Sequence, residues 1–258
     1  MNIHQKNHKQ RTDSQIVSLP RALSKLGFCS RSQAEKFIIE GRVFVNGKRE
    51  SNNERRVDLK NDKIEFDNKQ IVSSEKVYLM LHKPRGLVTT TSDEKGRETV
   101  YECFPKENFP TVFPVGRLDK ASEGLLLFTN DTQWAANILE PKNNIEKIYH
   151  VQINKIADEK LLQSLRSGIK TTENEFLSVK NVSVLRSGEK NCWLEIILNE
   201  GKNRHIRKIF DSLKINVLQL IRISIGMLKL GKLERRKWKY LSKHELRLPF
   251  ECCPTPKL

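Results

Sequence analysis

Apolar and polar residues alternate along several short runs of this chain, and turn-forming residues separate the runs. Such alternation is typical of strands that bury one face. In the run 147–153, for example, Tyr149, Val151 and Ile153 share one predicted face. With the continuous apolar run at 125–129, the pattern predicts strands over 77–81, 125–129, 147–153, 193–198, 217–223, 227–230 and 238–241.

Other segments have apolar residues at helical spacing. The first predicted helix covers 19–26 and ends before Gly27. A second begins near Ser30 or Ser32, and Ser32 with Glu35 has the pattern of a capping box. Helices and strands together predict an α+β chain. The further helical patterns cover 132–139, 156–165, 204–213 and 242–246.

Composition along the chain predicts two structured domains. Residues 1–15 are polar and basic, which predicts a disordered tail. Residues 16–66 form a small αβ module, and the polar stretch 67–76 is the predicted linker. A larger strand-rich domain then covers 77–250, and 251–258 is a loose tail with two prolines.

The 258 residues carry a formal net charge of +16, and 30% of them are charged. Such an excess of positive charge favours a polyanionic partner, and nucleic acid is the simplest one. A lysine-rich composition that only maintains solubility is the alternative. Charge alone does not separate these two interpretations.

Several classes of protein do not fit the sequence. Five scattered cysteines lack zinc-ligand spacing, and no signal peptide is apparent, so we expect reduced thiols in the cytoplasm. No apolar run reaches the roughly 18 residues of a membrane span. Because metal-binding and glycine-rich phosphate motifs are also absent from the sequence, we expect neither a metal nor a cofactor.

One acidic side chain has an unusual setting. Asp119 lies between two cations in a loop bounded by Gly116 and Gly124, and this loop enters the apolar run 125–129. Loops beside strand ends often carry reactive groups, because the strands fix their position. A solvated aspartate in an ordinary turn is the alternative, since turns favour Asp and Gly. Basic and aromatic groups elsewhere in the chain favour the reactive interpretation.

A basic turn follows the strand 193–198. Lys202, Arg204 and Arg207 come at the start of the helix 204–213. Cations are unfavourable there, because the helix dipole attracts anions to its N-terminus. We therefore expect a counter-charge from elsewhere, which is either RNA phosphate or Asp119.

The first module carries ordered basic residues. It resembles the small RNA-binding module of ribosomal small-subunit protein four and of many RNA-modifying enzymes, through the stretches 19–27, 30–35 and 41–47. A solvated basic face is the alternative. The residues expected to bind RNA are Arg21, Lys25, Arg31, Arg42 and Lys48.

The second domain resembles the pseudouridine synthases, in the branch with such a module in front that acts on ribosomal RNA. Four stretches carry the resemblance: 83–86, 114–127, 147–151 and 198–207. The resemblance implies a mainly antiparallel sheet with flanking helices. It also implies cofactor-free isomerisation of a uridine that is flipped out of the RNA.

The resemblance further implies a role for each matching residue. Asp119 matches the nucleophilic aspartate, Tyr149 the aromatic residue that stacks on uracil, and Arg207 the basic partner of the carboxylate. Leu198 matches an apolar residue that lines the pocket, and Arg117 a residue near the displaced base. The basic residues expected to bind RNA in this domain are Lys83, Lys202 and Arg204.

The stretches 201–204 and 238–241 look more like the large-subunit enzymes of this family, so 23S RNA is the expected substrate. Some relatives have His-Gln where this chain has Arg204-His205, which leaves the role of Arg204 open. Ribosomal RNA or an assembly particle is the expected partner of a monomer. The alternatives are a 16S enzyme, a non-catalytic ribosome-assembly factor and, with less support, a metal-dependent nuclease that uses Asp119.

Overall fold

A computed structural model of the protein describes residues 16–91, 93–107 and 109–251. The chain divides into two compact units, with the boundary between Glu75 and Lys76. The predicted tail at 1–15 lies outside the described residues, as does 252–258 of the second tail. Among the described residues, no helix combines the length and the apolarity that a membrane crossing requires.

The first unit packs two short helices against a small sheet, as the sequence predicts. Its sheet has the order β3-β2-β5-β6, and β1 pairs separately with β4. Leu19, Leu23, Ala34, Ile38 and Val43 have no exposed surface and form the centre of its core. The elements are β1 (Ile16–Ser18), α1 (Leu19–Lys25), α2 (Arg31–Ile39), β2 (Val43–Val45), β3 (Lys48–Glu50), β4 (Arg56–Asp58), β5 (Ile64–Phe66) and β6 (Lys69–Gln70).

The predicted capping box of the second helix is wrong by two residues. Ser30, not Ser32, is the N-cap: its hydroxyl accepts from the Gln33 amide at 3.2 Å, and the Gln33 side chain accepts from the Ser30 amide at 3.0 Å. Both serines satisfy the sequence pattern, but Ser30 has the extended backbone that an N-cap requires.

The predicted linker 67–76 starts too early. Asp67 and Asn68 have positive φ angles of 46° and 63° and form a tight turn that leads into β6. β6 then pairs with β5, so this stretch belongs to the first unit. Its polar residues resemble a linker in sequence because a two-residue hairpin turn needs the same residue types.

The second unit is built on a nine-stranded sheet of order β13-β14-β10-β15-β9-β7-β17, with β8 paired to β9 and β16 to β15. Its elements are β7 (Tyr78–Lys83), β8 (Phe113–Val115), β9 (Glu123–Thr129), α3 (Thr132–Leu139), β10 (Lys147–Ile153), α4 (Glu159–Ser167), β11 (Ile169–Lys170), β12 (Phe176–Leu177), β13 (Asn181–Ser187), β14 (Cys192–Leu198), α5 (His205–Ser212), β15 (Val217–Ile225), β16 (Leu228–Lys229) and β17 (Trp238–Tyr240).

The sheet is mainly antiparallel, as expected, and its parallel pair is β9 with β15. On one face, apolar residues of β10 and β14 pack against α4 and α5 in a continuous core. Tyr149, Val151 and Ile153 do share this face. The sheet therefore consists of two halves, one around β10 and β14 and one around β7 and β9, which meet at the parallel pair.

Two predicted helices differ from the structure. The pattern at 156–165 forms a helix only from Glu159, because the Asp158 side chain accepts from the Leu161 amide and caps it there. Ser242 accepts from the Glu245 amide, but the chain makes only turns before the short 3-10 helix Leu248–Phe250. The Leu246 carbonyl instead accepts a hydrogen bond from the Trp134 indole, which holds this segment in a non-helical path.

Gly124 allows the two halves of the sheet to meet. It has a φ of 108°, and a Cβ atom built there would lie 2.2 Å from the Arg222 carbonyl oxygen. Gly124 is the register partner of Arg222 in the parallel pair. Only glycine fits a positive φ at this backbone distance.

We expect Gly124→Ala to lower the unfolding free energy of the second unit by about 2–4 kcal/mol, because the methyl group would collide with main-chain atoms at a strained φ. All three tryptophans lie in this unit, so urea unfolding followed by tryptophan fluorescence reports on it. Gly201→Ala is the control, since a Cβ there meets no atom within 4 Å. Equal losses for the two variants would contradict the prediction.

Candidate active site

A cleft of about 660 Å³ opens where the two halves of the sheet meet. Its walls come from the loop between β8 and β9, from β10, from the end of β14 and the start of α5, and from β15. The cleft thus collects residues from Val115 to Ile225, which are 110 positions apart in the chain. Its size is in the range of cavities that hold small ligands.

The loop that carries Asp119 is held by its main chain. Five consecutive carbonyl groups, from Leu118 to Ser122, each accept a hydrogen bond from a residue outside the loop. The donors are the Thr89 hydroxyl to Leu118 (2.7 Å), the Lys83 ammonium to Asp119 (3.1 Å) and to Ser122 (2.8 Å), the Gly86 amide to Lys120 (2.8 Å) and the Arg207 guanidinium to Ala121 (2.9 Å). The backbone position of Asp119 is therefore set by its surroundings and not by the loop alone.

Lys83 has no exposed surface. Its ammonium donates to the carbonyls of Pro84, Asp119 and Ser122, which uses all three N–H groups. Burial lowers the pKa of Lys83 to about 8, while the charges of Asp119 and Glu123 act in the opposite direction. The prediction that Lys83 contacts RNA does not fit this position, because the side chain is enclosed and its donors are used by the protein.

Arg207 and Asp119 face each other across the cleft. The Arg207 Nε atom lies 4.0 Å from Asp119 Oδ2, within ion-pair range but too far for a hydrogen bond. The side chains are 12% and 31% exposed, respectively. Burial lowers the pKa of Arg207, and the charge of Asp119 opposes this effect. The Arg207 Nε atom is buried and has no hydrogen-bond partner among the described residues. The guanidinium therefore holds the loop through its Nη2 atom, while Nε faces the carboxylate.

Tyr149 and Leu198 form the apolar part of the cleft. Tyr149 is half-buried on β10 and packs against both the core beneath α5 and a second core that includes Leu118, the neighbour of Asp119. Leu198, at the end of β14, is 3% exposed. The cleft therefore brings together Asp119, Arg207, Tyr149 and Leu198, as the sequence predicts.

Three further predicted cations lie along the cleft with exposed side chains: Arg117, Lys202 and Arg204. Lys202 forms an ion pair with Glu200 at 3.2 Å. Arg204 has a left-handed φ of 50° and precedes the first residue of α5 without capping it. Its guanidinium lies 3.9 Å from the Asp211 carboxylate. The cleft therefore has three solvent-exposed cations along its wall.

Comparison with known proteins places this cleft in a family. A family model described as RNA pseudouridylate synthase matches residues 77–212, which is more than half of the chain. The chain belongs to the RNA pseudouridylate synthase family. An S4 domain model matches residues 17–64 in the first unit.

Similar proteins agree with this assignment along nearly the whole chain. The chain is 37% identical to a protein of Aquifex aeolicus (strain VF5) named an uncharacterized RNA pseudouridine synthase, over 91% of this chain and 94% of the relative. It is 33% identical to ribosomal large subunit pseudouridine synthase B of Bacillus subtilis (strain 168), over 89% and 93%. A crystal structure of a pseudouridylate synthase superposes with a TM-score of 0.63 at 27% identity, covering 90% of this chain and 99% of the other.

Among the predicted RNA contacts of the S4 unit, Arg42 differs from the others. Arg21, Arg31 and Lys48 are exposed and Lys25 is half-buried. The Arg42 guanidinium instead lies 4.4 Å from the centre of the Phe66 ring and donates to the Asp67 carboxylate through two nitrogens. Asp67 raises the pKa of Arg42 through this hydrogen bond. Arg42 therefore stabilises the unit, and its guanidinium is already engaged.

Two cations of the pseudouridine synthase cleft were not singled out from the sequence. Lys147 precedes Tyr149 by two residues on the same face of β10, and a period of two could have identified it. Arg222 interrupts the apolar run of β15, and a charged residue inside a predicted buried strand could have identified it as a site residue. Across the described residues, no group of three or more His, Cys, Asp or Glu side chains is arranged to hold a metal ion.

Part of the negative charge that we expect near the cations of α5 comes from acidic side chains of the protein itself. Lys208 pairs with Glu173 at 2.6 Å and with Glu175 at 2.8 Å, and Arg207 faces Asp119. The pKa of Lys208 is raised by these two glutamates. The carboxylates that balance Lys208 come from the loop between β11 and β12, which the sequence alone did not bring near the helix.

We expect Lys83→Met to lower the unfolding free energy of the synthase unit by about 2–4 kcal/mol. It removes the donor to the buried carbonyls of Pro84 and Ser122, and one of the two donors to the Asp119 carbonyl. Lys120→Met is the matched control, since Lys120 lies in the same loop and is exposed. Urea unfolding followed by tryptophan fluorescence measures both variants. A loss for Lys120→Met as large as that for Lys83→Met would contradict the assigned role.

Proposed function

We propose that this enzyme isomerises uridine to pseudouridine at one site or a few sites of ribosomal RNA, with the 23S RNA of the large subunit as the first candidate. The observation that carries the proposal is the constrained carboxylate of Asp119, which faces Arg207 in a cleft shared with Tyr149. The name of the Bacillus subtilis relative supports the choice of the large subunit.

The reaction requires groups of this kind. The glycosidic C–N bond breaks, the base turns, and a C–C bond forms between the same sugar and uracil C5. C5 then gives up its proton, and the released N1 takes one up. No electron or group is exchanged with a second substrate. We assign Asp119 as the nucleophile that makes the covalent contact with the target nucleotide. Arg207 faces this carboxylate and keeps it in place beside the sugar.

Access to the bond requires that the uridine leaves the RNA stack. Flipping costs a few kcal/mol, and a stacked aromatic ring returns roughly 1–3 kcal/mol per base. Tyr149 is suited to this role, because its ring lines the cleft and the packing on either side fixes its orientation. The phenol is also a candidate to assist proton removal from the base. Leu198 completes an apolar surface for the uracil.

RNA outside the cleft meets two groups of cations. At the cleft we assign phosphate contacts to Arg117, Lys202 and Arg204, which are exposed. In the S4 unit we assign them to Arg21, Lys25, Arg31 and Lys48. Lys83 is left out because it is buried and the protein uses its three donors, and Arg42 because its guanidinium is paired with Asp67 and stacked on Phe66.

Asp119→Asn should bind RNA with unchanged affinity but form no pseudouridine, because the amide keeps the shape of the side chain and loses the nucleophilic oxygen. Glu189→Gln, which changes an exposed carboxylate between β13 and β14 outside the cleft, is the control and should keep full activity. Each variant is incubated with ribosomal RNA from cells that lack the protein, and the pseudouridine formed is measured. Normal turnover by Asp119→Asn would refute the assignment of the nucleophile.

Sequencing-based mapping of pseudouridine in the same cells tests the substrate. A uridine of 23S RNA that is modified only when the protein is present supports the proposal. A position in 16S RNA would move the substrate to the small subunit, and an unchanged pattern in both RNAs would refute ribosomal RNA as the substrate.

Replacing Arg21 and Lys48 together by alanine should weaken RNA binding and reduce the slope of log affinity against log salt by about one to two. Fewer phosphate contacts form in this variant, so fewer counterions leave the RNA on binding. Lys36 and Lys60 replaced together remove the same charge from other exposed positions of the S4 unit. Fluorescence anisotropy over a range of salt concentrations compares the two pairs. Equal slopes for both pairs would contradict the assigned contacts.

A further inference from the structure

Lys147 and Arg222 are neighbours of Tyr149 in the sheet, and both line the same cleft. Lys147 shares a face of β10 with Tyr149, since they are two residues apart. Arg222 is the direct register partner of Tyr149 on the antiparallel strand β15, and such partners point to the same side of the sheet. Both cations line the cleft, so they lie next to the surface proposed to hold the base.

Arg222 is buried without a full set of partners. Its side chain is 6% exposed, and Nε donates to the Leu125 carbonyl at 2.8 Å. The Nη2 atom is buried and has no hydrogen-bond partner among the described residues. A buried guanidinium nitrogen without an acceptor is costly, so it calls for an explanation.

Lys147 is half-buried beside Arg222 and is also without a carboxylate partner. Burial lowers the pKa of Lys147, and the positive charge of Arg222 lowers it further. Neither cation has a carboxylate within 4.0 Å in the described part of the chain. The acids of the cleft are engaged elsewhere: Asp119 faces Arg207, and Glu200 pairs with Lys202.

Two neighbouring cations without a counter-charge favour an anionic ligand. Uracil is neutral and would leave both charges uncompensated, whereas a phosphodiester carries one negative charge and two free oxygens. A guanidinium and an ammonium are well suited to those oxygens. We propose that Lys147 and Arg222 form a phosphate subsite for the phosphodiester next to the flipped uridine.

This subsite rests on the proposed function and adds a second point at which the protein holds the target nucleotide. The base lies on Tyr149 and the phosphate is held by Lys147 and Arg222, so the sugar between them is positioned toward Asp119. Arg222 is itself fixed, because its side chain is bonded to Leu125 and its backbone packs against Gly124. A preorganised contact of this kind raises the rate by orienting the reacting atoms.

The test compares the dinucleotide UpU with its methylphosphonate analogue, which has the same shape and no charge. Dissociation constants for the full-length protein are measured by NMR titration. We expect the wild type to bind UpU about tenfold more tightly than the neutral analogue, as for a contact between charged groups. Lys147→Met should reduce this ratio to about twofold or less, and Lys147→Arg should retain most of it.

The controls separate the subsite from general charge effects. Lys229→Met removes one exposed lysine outside the cleft and should keep the tenfold ratio. Arg222→Lys should give an intermediate ratio, and thermal unfolding checks that it folds. If Arg222→Lys does not fold, the Lys147 variants decide the result alone.

Three outcomes would overturn the subsite: no detectable binding of UpU, equal binding of the two ligands by the wild type, or an unchanged ratio in Lys147→Met. The proposed function is judged separately by pseudouridine mapping. A protein that modifies ribosomal RNA but does not distinguish the two ligands refutes only the subsite. Charge discrimination that Lys147→Met removes, in a protein that makes no pseudouridine, refutes the isomerase proposal and keeps the phosphate site.

Discussion

The close approach of β9 and β15 is the constraint on which the site depends. Their backbones meet at Gly124, where no side chain larger than hydrogen fits against Arg222. The half of the sheet on one side supplies Asp119 through the loop before β9, and the other half supplies Tyr149 from β10. A wider separation of the halves would leave each group in its own half. The reactive cleft is therefore a property of the junction between them.

The same junction explains why the Asp119 loop needs so many external donors. In the proposed mechanism the carboxylate must be held in place before the substrate arrives, because reorganisation during the reaction adds to the barrier. Lys83, Thr89, Gly86 and Arg207 supply donors to five successive carbonyl groups of the loop. Arg207 contributes twice, because it also faces the carboxylate. One side chain thus both holds the loop and faces the carboxylate proposed as the nucleophile.

The basic residues that give the chain its large positive charge have several different roles, and composition alone does not distinguish these roles. Lys83 is buried and holds main-chain carbonyls, whereas Arg42 stacks on an aromatic ring beside Asp67. Lys208 is neutralised by two glutamates. Lys147 and Arg222 remain in the cleft without an acidic partner. Their positions, and not their number, indicate where a phosphate would bind.

Local patterns along the chain determined the strands of the core, the two helices of the first unit and the glycine-bounded loop of Asp119, because these depend on neighbours a few residues apart. Motif order also indicated Tyr149, Leu198 and Arg207 as members of one site. The tertiary structure alone decided which cations are enclosed by the protein, as Lys83 is, and which line the cleft, as Arg222 does. It also decided that Ser30 caps its helix and that β6 belongs to the first unit. Burial and counter-charge come from residues distant in sequence, so no local pattern contains them.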